Sequence, residues 1–274
     1  MSDFIKIELN NNPNWNKVRL DTNWSTIILN PDIIYKCILD IVFDKVNLYY
    51  YATQRRTSKT LKEAKQDAKK AIKNGTIEFS IDSILNNIGF KEEYIDVNND
   101  RFCGDFGELV MANLIDQFTN VETIICKVSL KTSAKMSAYG NDNVFYDYKN
   151  KILYYGESKF RESASAGLKE ALKSLDKHLS GELNYIINST NVIIAKNKKK
   201  LRIVEKHIES IDVSDVSVRQ LIFAMNDDIY KKSDYEQLIN KLGVPVETII
   251  VLLPILSKTN FIDYIRGHLD DYRK

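Results

Sequence analysis

Tyr139-Gly-Asn-Asp-Asn-Val-Phe-Tyr-Asp-Tyr-Lys-Asn-Lys-Ile-Leu-Tyr-Tyr-Gly-Glu-Ser-Lys159 reads as two short strands joined by a turn, with an acid on the first and Glu-x-Lys on the second. Ile152, Leu153, Tyr154 and Tyr155 make a β-prone run, and Asn150 marks the turn ahead of it. Side chains on a strand alternate between faces, so Glu157 and Lys159 share one face, where Asp142 from the neighbouring strand can meet them. Two carboxylates and an ammonium in that arrangement suit Mg²⁺, with Mn²⁺ as a substitute, and the backbone carbonyl of Ser158 adds an oxygen donor. A cation held there lowers the pKa of a bound water, while Lys159 orients the water and stabilises charge developing on phosphorus. The chemistry assembled is phosphodiester hydrolysis. The alternative is an exposed hairpin with solvated charges, and the apolar neighbours Leu153 and Tyr155 on the same face argue against it, because charges there need partners or a metal.

The tripeptide carries no weight without this context. In 274 residues of this composition roughly two Glu-x-Lys matches arise by chance, and two occur. The other, Glu63-Ala-Lys65, lies in a run of strong helix formers near residues 60–74, where positions two apart project to nearly opposite sides. It is a decoy.

Length and a hydrophobic fraction of 44% fit one large or two modest domains with an ordinary buried core. No charged, apolar, small-residue leader follows Met1, and the longest strongly apolar run, residues 249–256, is too short to span a bilayer. Cys37, Cys103 and Cys126 form neither an even disulfide set nor a zinc spacing, and the three histidines are isolated. The expectation is a cytoplasmic protein without membrane association. A net charge of +2 does not by itself advertise nucleic-acid binding, so phosphate contacts must come from a local patch.

Residues 1–97 read as an accessory α+β region, with a strand at 4–9, an apolar mixed segment at 33–51 and the charged helix near 60–74. Residues 82–88 suit a short helix capped by Asp82, and 96–101 a loop. From Gly104 the pattern sharpens. Phe106, Leu109, Val110, Leu114, Ile115 and Phe118 fall at helical spacing, followed by a strand at 123–130 and then the hairpin. A helix begins near Ser163 with the stripe Ala164, Leu168, Ala171, Leu172, Leu175 and Leu179. Further strands are expected at 192–195, 221–224 and 248–253, and a helix at 234–242.

Helix, three strands, helix, with Asp on the second strand and Glu-x-Lys on the third, is similar to the PD-(D/E)xK nuclease superfamily. Gly104-Asp-Phe-Gly-Glu108, Gly140-Asn-Asp142 and Gly156-Glu-Ser-Lys-Phe160 before a helix more narrowly resemble the HamA family, the nuclease component of the Hachiman anti-phage system. The segment before Asp142 lacks the nominal proline, a departure that many superfamily members share. The resemblance implies an α/β fold with a restriction-endonuclease-like PD-(D/E)xK core in residues 98–274, a central mixed sheet flanked by helices. It also implies a Mg²⁺-dependent DNA nuclease acting as a defence effector with a HamB-like helicase partner. Rival readings are a restriction- or repair-type nuclease and a non-catalytic scaffold or nucleic-acid-binding module on the same fold.

Other charged residues divide between the site and the surface. Asp147 lies an odd number of residues from Asp142 and faces the other way, nearer the turn. Glu108 is an acid in the first helical turn, where the dipole alone would favour it, yet Met111 and Ala112 at i+3 and i+4 set it at the margin of the sheet-facing stripe. The superfamily resemblance implies a further metal ligand there. Lys169, Lys173 and Lys177, with Arg161 at the helix entry, form a basic stripe suited to tracking a phosphate backbone, or else a solvated face interleaved with Glu170 and Asp176. The cluster at 196–202 reads as soluble surface.

Overall fold

A computed structural model describes residues 5–12, 15–22, 30–53, 61–75, 82, 85–86, 90–119, 121–130, 142–147, 149–179, 217–228, 232–243 and 248–273. In chain order its elements are β1 (Ile5–Asn12), β2 (Trp15–Thr22), α1 (Asp32–Val42), α2 (Lys45–Thr53), α3 (Leu61–Lys73), α4 (Asp100–Phe118), β3 (Glu122–Cys126), β4 (Asn143–Asp147), β5 (Ile152–Phe160), α5 (Ala164–Leu179), β6 (Ser217–Asn226), α6 (Lys232–Leu242), β7 (Ile249–Pro254) and α7 (Lys258–Arg273). The strands form one mixed sheet in the order β1-β2-β7-β6-β5-β4-β3. β3, β4 and β5 are an antiparallel meander; β5, β6 and β7 run parallel; the β1–β2 hairpin joins at β7.

The central strands are buried on both faces, and β6 and β7 show it by alternation. Leu221, Phe223 and Met225 of β6, with Ile249, Val251 and Leu253 of β7, enter a core shared with α1, α4 and α7. Ile222, Ala224, Ile250 and Leu252 point the other way, into a second core with Ala164, Leu168, Ala171 and Leu175 of α5 and Ile239 of α6. Parallel neighbours require crossovers long enough for helices, which α5 and α6 supply.

α4 is the central helix. Its N-cap is Asn99, whose side chain accepts from the Phe102 N–H, so the helix begins four residues before the Gly104 that the apolar spacing points to. Asp100 and Arg101, expected in a loop, are helical. Phe102, Phe106, Leu109, Val110, Met111, Ala112, Leu114 and Ile115 are all buried, a wider face than one sheet can cover, because α1 also packs on this helix. The strand expected at 123–130 stops at Cys126, and 127–130 turn as a 3₁₀ helix. Its partner accounts for this: Cys126 pairs with Asn143, the first residue of β4, and the last described bond between the two segments runs from the Lys127 N–H to the carbonyl of Asp142, where the chain bends. The helices near 60–74 and 234–242 and the strands at 4–9, 221–224 and 248–253 are present; β2 and α7 went unread in the sequence. The strand expected at 192–195 and the basic cluster at 196–202 lie outside the described residues.

Described residues from α1 to residue 95 are built into the same core. Ile34, Ile38, Leu39, Tyr51, Phe90 and Ile95 pack in one cluster with α4 and the central strands. Tyr35 donates its hydroxyl to the Ile255 carbonyl at 2.8 Å, and Arg266 and Lys258 donate to the carbonyls of Ile95 and Val97. Among the described residues no helix is long and apolar enough to cross a membrane.

Candidate functional site

The site forms where β4 runs out and β5 continues. Asn143 pairs with Gly156, and the Asp142 N–H still reaches the Gly156 carbonyl at 3.1 Å, but among the described residues no strand pairs with β5 on that edge from Glu157 onward. Asp142 itself bends at the foot of β4 rather than lying on the strand, as the sequence pattern had placed it. The vacated pairing position goes to its side chain: Oδ2 accepts the Ser158 N–H at 2.8 Å. A strand residue presents its N–H and C=O on the same edge, so the Ser158 carbonyl also leaves β5 beside Asp142.

Glycines allow the close approach. A Cβ on Gly107 of α4 would lie 2.6 Å from Ser158 Oγ, and one on Gly156 would lie 2.6 Å from the Phe145 ring. α4 therefore seats directly on β5 at the motif and carries Glu108 there. Glu108 is in the third turn of α4, not the first, so the helix dipole gives no account of its position. Its carbonyl is held by Asn143 Nδ2 at 2.9 Å, tying helix and strand together behind the carboxylates.

Glu108, Asp142 and Glu157 are all buried, and two ammoniums are interleaved with them. Lys159 Nζ lies 2.5 Å from Glu157 Oε1; Lys127 Nζ lies 2.8 Å from Asp142 Oδ1 and 3.6 Å from Glu108 Oε1. Burial works against the charge on Lys127, but Asp142 and Glu108 overcome it and hold its pKa above the usual lysine value. Burial likewise works against ionised Asp142, yet Lys127, Lys159 and the Ser158 N–H favour the carboxylate and its pKa is lowered. Glu157 moves the opposite way. Burial raises its pKa, the negative charge of Asp142 adds to this, and Lys159 and Ser174 of α5 offset only part. Glu157 Oε2 and Ser158 Oγ are buried and make no hydrogen bond.

Three carboxylates and a carbonyl are hard oxygen donors, and a buried carboxylate with one oxygen lacking a hydrogen bond, under the influence of a second negative carboxylate, is chemistry that a hard divalent cation would satisfy. The donor set fits such an ion. With both ammoniums in place, no group of three or more His, Cys, Asp or Glu among the described residues is gathered closely enough to hold one as it stands.

Asp142, Glu157, Lys159, Ser158 and Glu108 are thus brought together. Asp147 is not; its carboxylate accepts the N–H groups of Lys149 and Asn150 and closes the hairpin turn. Arg161 is committed to Glu170 at 2.9 Å and to the Phe160 carbonyl. Lys169 and Lys173 are exposed on α5, and the Lys177 side chain lies outside the described ones. Glu63 and Lys65 are on α3, with Lys65 over the Tyr51 ring. Sequence reasoning missed Lys127 and Asn143. One lysine after a strand among so many carries no signal, whereas Asn143, beside an acid at a strand start, was open to question.

A HamA family model matches residues 2–269. The chain belongs to the HamA family. Membership puts it in the context of antiviral defence and is consistent with a hydrolase role. This HamA chain is also similar to two curated proteins named peptidyl-tRNA hydrolase. One, from Clostridium botulinum strain Eklund 17B, is 30% identical over 163 residues, covering 52% of this chain and 82% of that protein. The other, from strain Alaska E43, is 29% identical over 161 residues, with the same coverage.

Proposed function

We propose that this HamA protein is a metal-dependent DNA nuclease of the PD-(D/E)xK type, the effector of a Hachiman system that works with a HamB-like helicase. The observation that carries the reading is the convergence of Asp142, Glu157 and Lys159 where β5 runs on past its pairing with β4, with one buried Glu157 oxygen left unsatisfied. The order α4-β3-β4-β5-α5-β6 supports it, being the helix, three strands and helix of that superfamily followed by a parallel strand.

In this reading Asp142, Glu157 and the Ser158 carbonyl hold Mg²⁺ or Mn²⁺, with Glu108 as a further ligand from α4. The ion, when bound, lowers the pKa of water and offsets charge at phosphorus. Lys159, beside Glu157, keeps its ammonium where it orients the attacking water and stabilises the pentacoordinate charge. The Ser158 N–H fixes the Asp142 carboxylate, so that ligand is aimed before substrate arrives. Exposed Lys169 and Lys173 supply backbone contacts along α5. Arg161 first has to leave Glu170 to do the same.

The test is cleavage of supercoiled plasmid by the purified full chain with Mg²⁺, Mn²⁺ or EDTA, alone and with a helicase-like partner. Metal-dependent nicking that is lost in Glu157→Gln supports the reading. The similarity to peptidyl-tRNA hydrolases sets the control: release of peptide from an ester-linked peptidyl-tRNA, unaffected by EDTA, would place the chemistry at a carbonyl rather than at phosphorus.

A further inference from the structure

Lys127 is a described group at the site that the hydrolytic reading leaves without a task. It follows β3 directly, and its own N–H is tied to the Asp142 carbonyl at 2.9 Å, so the root of the side chain is fixed against the backbone of its partner. The ammonium sits 2.8 Å from Asp142 Oδ1 and 3.6 Å from Glu108 Oε1, and the side chain is only 17% exposed. Ser158 already occupies Asp142 Oδ2, so Oδ1 is the oxygen left for a cation, and Lys127 holds it.

We propose that the Lys127 ammonium is the resident cation of this site, seated between Glu108 and Asp142 until a divalent ion displaces it. This rests on the metal-dependent reading above. A Mg²⁺ or Mn²⁺ ion bonds a carboxylate oxygen at about 2.1 Å. An ammonium on the same oxygen would then stand within a few ångströms of a double positive charge in a buried setting, where repulsion is screened little. The two cations therefore exclude each other at Asp142 Oδ1. The ammonium also explains how Glu108 and Asp142, one from α4 and one from the sheet, stay close without repelling each other apart. Lys159 does not duplicate this role, since its ammonium is paired with Glu157. The consequence is a threshold: the ion must compete with an internal cation before the nuclease is assembled.

Two measurements on the metal-free full chain test this. Mn²⁺ titration followed by electron paramagnetic resonance compares wild type with Lys127→Met, and at least tenfold tighter binding is expected in the variant. Reductive methylation with formaldehyde and cyanoborohydride, mapped by mass spectrometry on wild type, reads the displacement itself. Lys127 labelling should rise severalfold when Mn²⁺ is added, while exposed Lys169 and Lys173 stay constant. The labelling experiment needs no variant, so it decides the matter if Lys127→Met fails to fold. Mn²⁺ that binds wild type without changing Lys127 labelling, or binds the variant no more tightly, overturns the proposal and leaves the nuclease reading standing. Absence of Mn²⁺ binding to either protein overturns both.

Discussion

Asp142 and Glu157 lie close enough to feel each other's charge, yet their surroundings drive them apart: Asp142 is held ionised by Lys127, Lys159 and a backbone N–H, while Glu157, with less help, is pushed toward its protonated form. Carboxylates must be deprotonated to bind a metal, so Mn²⁺ affinity should fall on the acid side at a pH above the ordinary glutamate value of 4.5. Lys159 lowers the Glu157 pKa, so in Lys159→Met this acid limb should move to still higher pH, as read by Mn²⁺ titration across pH. Stability follows with the opposite sense. A carboxyl whose pKa is raised by folding favours the native state at low pH, and that advantage is lost as pH rises from its unfolded value through its folded one. Metal-free wild type should therefore lose melting temperature across that window relative to Glu157→Gln, in scans at matched ionic strength. A wild type and variant with parallel pH profiles would contradict the assigned shift. The pairing of Glu157 with Lys159 was legible because strand alternation is a strong constraint, whereas Asp142 reaches them from a bend that alternation does not place. Lys127 was not, because its role depends on where β3 stops, and only the pairing of Cys126 with Asn143 decides that.

At the scale of elements, the site depends on a helix and a strand approaching more closely than side chains normally permit. Gly156→Ala would force a Cβ to within 2.6 Å of the Phe145 ring and 3.2 Å of the Asn143 carbonyl. Overpacking of this kind costs about 1–3 kcal/mol, and chemical denaturation should show a loss in that range. Asn143→Ala removes the bond to the Glu108 carbonyl and should cost about 1 kcal/mol, with a larger effect on metal affinity than on folding, because it loosens Glu108 against Asp142. The β4–β5 hairpin and α5 were legible because their periods are unbroken over several residues. α4 was misread at its start because Asn99 caps it from within a run of polar residues that otherwise signals a loop. α7 was overlooked although Phe261, Ile262, Ile265 and Leu269 have helical spacing and the Ser257 hydroxyl accepts the Asn260 N–H at its start.

Over the whole molecule, described residues between 34 and 97 pack into the core that also holds α4. α1 packs on α4, Tyr35 bonds beyond β7, and 95–97 are pinned by α7. A fragment of residues 98–274 would expose Phe106 and Phe102 where Phe43 and Phe90 now pack. Such a fragment should lack a cooperative melting transition, as calorimetry would show; a sharp transition near that of the full chain would contradict this. The sequence concealed this continuity because the amino-terminal elements carry no chemistry and partners such as Phe106 for Phe43 and Ile255 for Tyr35 lie far along the chain. The claim on which everything else depends is that one Glu-x-Lys pair is catalytic and the other is not. Plasmid cleavage with Mg²⁺ by Glu157→Ala/Lys159→Ala and by Glu63→Ala/Lys65→Ala, each shown to be folded, tests it directly. Cleavage should vanish in the first protein and persist at the wild-type level in the second. Equal loss in both, or cleavage surviving in the first, would contradict the account.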